Sequence, residues 1–68
     1  MVGLKSTDFN KGETIEFVFL QEPMTGIIQN ILIKENVLQV SGEDGINYRV
    51  HMSKEESNFC YFIKKFAS

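Results

Sequence analysis

The chain has one cysteine, one histidine, one proline and no tryptophan in 68 residues. A lone Cys60 cannot close an intramolecular disulfide, which fits a reducing, cytoplasmic setting rather than an oxidising one. A lone His51, with no paired cysteines and no HExxH or calcium-loop pattern, gives no ligand set, so neither a metal nor a cofactor is expected. The longest near-apolar run, residues 26–33, contains Gln29 and Asn30 and falls far short of the roughly 20 residues a membrane-spanning helix needs. That excludes a membrane partner of the helical kind, and no apolar stretch follows residues 1–5 to suggest a signal peptide. Basic residues are not in excess either. Seven against nine acidic give a formal charge of −2, which does not favour free nucleic acid, whose phosphates supply most of such affinity.

What is present is apolar and aromatic: hydrophobic residues make up 43%, with six Phe and two Tyr. This is ample for one folded domain of thin core, since a chain near this size buries only about 60% of its unfolded surface. Residues 14–20, TIEFVFL, alternate with period two and are β-branched or aromatic, the signature of a strand. Residues 21–23, ending in Pro23, break it, because proline cannot donate to a ladder and belongs to a turn or an edge. Residues 25–33, TGIIQNILI, form a second strand with two apolar faces; four Ile and Gly26 argue against a helix. Residues 34–36 make a hairpin whose last residue, Asn36, takes a positive φ. A third strand spans 37–40, SGEDG at 41–45 is a turn, and INYRVHM at 46–52 is the cleanest alternating strand. Ser53 and Glu56 have capping-box spacing, which predicts one helical turn, and NFCYFIKKF at 58–66 gives a fifth strand.

Five short strands with a helical turn before the last predict an all-β, SH3-like, partly open barrel. The expected organisation is a loosely ordered N-terminal arm over residues 1–11 and a single barrel domain over 12–68. The expected core is Ile15, Phe17, Phe19, Ile27, Ile31, Val40, Tyr48, Val50, Phe59, Tyr61 and Ile63.

GETIEF at residues 12–17, and MTGIIQNILIKENVLQV at 24–40, resemble the opening and the asparagine-containing hairpin of a YkvS-like family of small bacterial proteins of unknown function. EESNFCYFIKKF at 55–66 is loosely similar to the family's closing strand, and the asparagine-histidine pair found there is missing. The resemblance covers residues 12–66. It implies an SH3-like or KOW-like barrel and assigns no activity. Small frames of this type also occur in phages and prophages, which would suit a compact protein that binds one host component.

No catalytic residue is expected. His51 has Arg49 and Asn47 as its same-face neighbours, neither a base nor a ligand, and Cys60 lacks an adjacent group that would lower its pKa, although the two could meet across strands. Glu13, Glu16, Glu22, Glu43 and Asp44 read as a solvated face and an acidic turn. The candidate binding residues are Asn47, Arg49 and His51 on the fourth strand with Lys54, Lys64 and Lys65, which pairing of strands four and five would gather into a basic patch beside aromatics. Val18, Leu20, Ile28, Leu32 and Phe62 lie on the face opposite the expected core, and any left exposed would mark a protein interface. The sequence therefore points to a non-enzymatic module that binds a protein partner or a second copy of itself. The rival is a small KOW- or Sm-like barrel that holds nucleic acid through Arg49, His51, Lys54, Lys64 and Lys65.

Overall fold

Ile15, Phe17 and Phe19 are spaced to place large side chains on one face of a pleated strand, where β-branched and aromatic residues pack well. The computed structural model, which describes residues 5–66, forms five strands on this principle. They are β1 (Thr14–Phe19), β2 (Glu22–Leu32), β3 (Val37–Gly42), β4 (Asn47–His51) and β5 (Cys60–Lys65). Successive strands from β1 to β4 pair antiparallel, and β1 also pairs antiparallel with β5. β4 meets β5 in parallel at His51 and Tyr61, so the barrel is closed rather than partly open. The register links Leu32, Val37, His51, Tyr61, Val18 and Pro23 across all five strands, leaving β2 at one position and returning to it nine residues earlier.

The turns follow their chemistry. Leu20 and Gln21, at φ 51° and 69°, form the two-residue connection of β1 and β2. Both left-handed residues match the primed turns that suit hairpin twist, but neither is the Asn or Gly that adopts them at low cost. Pro23 therefore lies inside β2, opposite Val18, not in a break before it. β3 pairs with β2 only from Gly26 onward, so β2 is an edge at Pro23 and its missing N–H leaves no gap in the sheet. Asn36 has φ 58°, as its place at the end of the hairpin predicts, and its Oδ1 accepts from the Ser6 N–H at 2.7 Å. Before β5, the Ser57 and Glu56 N–H groups donate to the Ser53 carbonyl, which makes a hydrogen-bonded turn. It is a plain turn where one helical turn was expected; the one helical turn among the described residues is a 3-10 turn at Ser6–Asp8.

The core holds Phe9, Ile15, Phe17, Ile28, Leu38, Val40, Tyr48, Val50, Met52 and Cys60, with Phe19, Met24, Ile31 and Phe62 packed against it. The expected core is corrected in two strands, β2 and β5. Ile27 points outward, because Gly26 and Ile28 face in; Gly26 lies so close to Val40 and Phe17 that no side chain fits there. A bulge at Gln29 then shifts the alternation by one, which turns Ile31 inward. In β5 the faces are reversed: Cys60 and Phe62 oppose Phe19 and Phe17 and face in, whereas Phe59 and Ile63 are exposed and Tyr61 is half-buried on the outside. The segment expected as a loose arm lies partly outside the described residues, at 1–4. Within 5–11, Phe9 is buried and meets Phe62 edge to face at 4.9 Å.

Candidate interaction surface

The six basic and polar residues singled out in the sequence fall in three places. Asn47 and Arg49 are exposed on the outer face of β4, and His51 is half-buried at its end. Lys54 is exposed in the turn that follows. Lys64 and Lys65 sit on the far side of the His51–Tyr61 bridge, since β4 and β5 run in parallel and their ladder pairs only there. Arg49 and Lys64 are thus five strand positions apart in that register, about 16 Å at the rise of a strand.

The β1–β5 register gives the two lysines other partners. Lys64 Nζ is 4.0 Å from Glu16 Oε1, and Lys65 Nζ is 3.9 Å from Glu13 Oε2. Lys65 also donates to the Asp8 carbonyl at 2.8 Å and lies 4.7 Å from the centre of the Phe9 ring. Exposed ion pairs of this kind hold little energy, but they place a carboxylate beside each ammonium and lower the local positive field.

Cys60 and His51 do not meet, because the thiol faces the core and the imidazole lies on the outer face. Burial pushes the Cys60 thiol up to about 11, the opposite of what a nucleophile requires. At the other end of the barrel, the Tyr48 ring is buried and its hydroxyl donates to exposed Asp44 Oδ2 at 2.7 Å. This bond lowers the Asp44 pKa, helped by the Ile46 N–H, and it pushes the phenol up to about 12. Among the described residues no three His, Cys, Asp or Glu side chains gather in a metal-binding group. No helix there is long and apolar enough to cross a membrane.

The outer face of β1 and β5 is different in character. Val18 pairs with Tyr61, and the Leu20 N–H donates to the Phe59 carbonyl at 2.8 Å, so four apolar side chains form two adjacent cross-strand pairs. Val18 and Tyr61 are half-buried; Leu20 is 56% and Phe59 68% exposed. The Leu20 site is held in an unfavourable backbone region at the tip of the hairpin, and strain of this sort concentrates where a side chain is used. Sequence reasoning singled out Val18 and Leu20 and placed Phe59 and Tyr61 in the core. Two-sided apolar strands do not disclose which face is inside.

A second surface feature is a shallow pocket of about 230 Å³ lined by Thr14, Thr25, Ile27, Ser41, Gly42 and Glu43, with Gly26 at its base. Glu43 is held at its rim by the Thr25 hydroxyl and by the Thr25 N–H at 3.2 Å. No protein-family model, curated protein or solved structure matches this chain.

Proposed function

We propose that this chain is a non-enzymatic interaction module, a barrel of the SH3-like type, that binds a protein partner through the outer face of β1 and β5. The observation that carries the reading is the cluster of Val18, Leu20, Phe59 and Tyr61 on the outside of a barrel whose interior is already filled. Aromatic side chains such as Phe59 and Tyr61 are frequent anchors of protein interfaces. The SH3-like assignment draws support from β1 lying between β2 and β5, from the turn that precedes the last strand, and from the YkvS-like resemblance. A non-catalytic role is supported by the buried, raised Cys60 thiol and by His51 facing away from it. A cytoplasmic setting suits a chain whose one cysteine is free.

The nucleic-acid alternative loses support from the placement of Lys64 and Lys65 beside Glu16 and Glu13. Light scattering coupled to size exclusion, at two salt concentrations and with a mixed oligonucleotide pool, tests this choice. The expected result is no oligonucleotide complex. Capture from host lysate should then be lost on Phe59→Ser and retained on Lys34→Ala, a change in a distant turn. A salt-sensitive oligonucleotide complex that survives Phe59→Ser would overturn the proposal.

A further inference from the structure

The hollow between β2 and β3 has a defined frame and a single charged group. β3 pairs with β2 from Gly26 onward, and Gly26 and Gly42 stand opposite each other at that end of the ladder. Their paired backbone forms the floor. Ile27 is 47% exposed between Thr14 on β1 and Ser41 on β3, and these three stand in a row along one side. Thr25 and Glu43 stand along the other side. The Thr25 N–H lies beyond the end of the ladder, where no β3 carbonyl pairs with it, and it donates to Glu43 Oε2 at 3.2 Å. The Thr25 hydroxyl donates to the same oxygen. Two donors thus fix the carboxylate at the rim and leave Oε1 without a hydrogen bond among the described residues.

Size, lining and charge select the occupant. At about 230 Å³ the hollow is smaller than the sites of about 300–1,000 Å³ that take drug-sized ligands, so it suits one side chain rather than a cofactor. Glu43 is the one charged residue that lines it, beside Ile27, small hydroxyl residues and glycine backbone. Asp44, next in the turn, has the same sign and is held by the Tyr48 hydroxyl and the Ile46 N–H. The nearby lysines of β5 are matched, Lys64 by Glu16 and Lys65 by Glu13. Lys11 and Arg49 are exposed and form no ion pair among the described residues. Arg49 lies opposite Gln39, four residues before Glu43 and about 13 Å back along β3. Glu43 is therefore a carboxylate with no cation of its own among the described residues. A lysine side chain matches this frame: its flexible four-carbon stem lies along an apolar wall while the ammonium, a point charge, needs only one oxygen. The planar fork of arginine favours two carboxylate oxygens, and Thr25 already occupies one. We infer that the hollow takes a lysine side chain of a partner protein, its stem against Ile27 and its ammonium on Glu43 Oε1. None of Val18, Leu20, Phe59 and Tyr61 is used, so the inference stands apart from the β1–β5 reading.

The test follows the amide NMR spectrum of the full chain as short capped glycine-alanine peptides are added, each with one central residue: lysine, Nε-acetyl-lysine, norleucine or arginine. Expected with the lysine peptide are shifts at the Thr14, Thr25, Ile27, Ser41 and Glu43 amides. The other three peptides should bind about threefold or more weakly, the scale of an exposed charge pair. Glu43→Gln keeps an acceptor for Thr25 and removes the charge. It should weaken the lysine peptide by about the same factor and leave the acetyl-lysine peptide unchanged. The melting curve of Glu43→Gln confirms that this exposed substitution leaves the barrel folded. Phe59→Ser should not alter lysine binding, which separates failure here from failure of the β1–β5 reading. Absence of shifts at those amides, or equal binding of lysine and norleucine or of lysine and arginine, overturns the inference. Free putrescine binding at the same amides as tightly as the peptide would assign the hollow to a small amine and overturn the protein source. Concentration-dependent shifts there without peptide, together with a doubled mass in solution, would assign it to a second copy and overturn the partner.

Discussion

Gly26→Ala is the sharpest probe of how closely β2 and β3 approach. A Cβ placed on Gly26 would lie 2.5 Å from Val40 Cγ1, 2.7 Å from the Ser41 carbonyl oxygen and 3.1 Å from Phe17 Cε1. Val40 and Phe17 are fully buried, so neither can rotate into solvent. The Ser41 oxygen is strand backbone and moves only with the ladder. Overpacking at a site of this kind costs about 1–3 kcal/mol. Gly26 does not have a positive φ, so alanine also restricts the unfolded chain, which returns about 0.4–1 kcal/mol. The net loss is about 1–2 kcal/mol, and at about 4–8 °C per kcal/mol for a domain of this size the melting temperature should fall by about 5–15 °C. With no tryptophan, circular dichroism is the natural readout. A urea titration should show a lower midpoint at unchanged slope, because the surface exposed on unfolding is the same. An alanine variant as stable as the parent would refute the reasoning, since the two strands would then have room to separate.

Three further predictions concern single side chains. Tyr48→Phe removes the hydrogen bond that lowers Asp44, so an NMR titration should find the Asp44 carboxyl closer to its ordinary value near 3.8. In the parent, the depressed Asp44 contributes stability above that ordinary value, lost as pH falls through the folded one; the raised Tyr48 contributes below about pH 10, lost as pH climbs toward about 12. Both slopes of the stability-versus-pH curve should flatten in the variant. Cys60 should resist iodoacetamide at pH 8 in the folded chain and react at once in denaturant, because a thiol pushed up to about 11 carries almost no thiolate there; rapid alkylation of the folded protein would contradict its burial. Replacing Leu20-Gln21 by Asn-Gly should raise stability by about 1–2 kcal/mol, as each left-handed residue with a side chain carries about that strain. The same change removes an exposed leucine from the β1–β5 face, so thermal melting and partner capture should move in opposite directions.

Much of the fold was legible because β1, β3 and β4 each have one apolar face and strong turn residues beside them. β2 and β5 were harder for a definite reason. Residues 27–28 and 31–33 are apolar without a break on either parity, and so are 59–63, so periodicity alone offers two solutions for each strand. The bulge at Gln29 and the close approach at Gly26 decide the first, and the pairing of Phe17 with Phe62 decides the second; both are long-range facts. Phe9 was missed as core because it stands among turn formers, and its contacts with Phe62 and Lys65 are long-range. At the candidate site, the residue types Arg49, Lys64 and Lys65 were visible. That Glu13 and Glu16 stand beside the lysines follows from β1 pairing with β5, which no local pattern reports.

The double pairing of β1 joins one local contact to one distant one. Its pairing with β2 closes a two-residue turn, an event of microseconds. Its pairing with β5 joins Ile15 to Lys65, about fifty residues apart, a contact whose loop entropy is reduced only once β2, β3 and β4 have paired between them. Until β5 arrives, β1 has an open edge, and Phe17, Phe19 and Tyr48 lack the cover of Cys60 and Phe62. The strand that completes the interior is the same one that presents Phe59 and Tyr61 to the outside. A partner that reads the β1–β5 face would recognise only chains whose folding has finished.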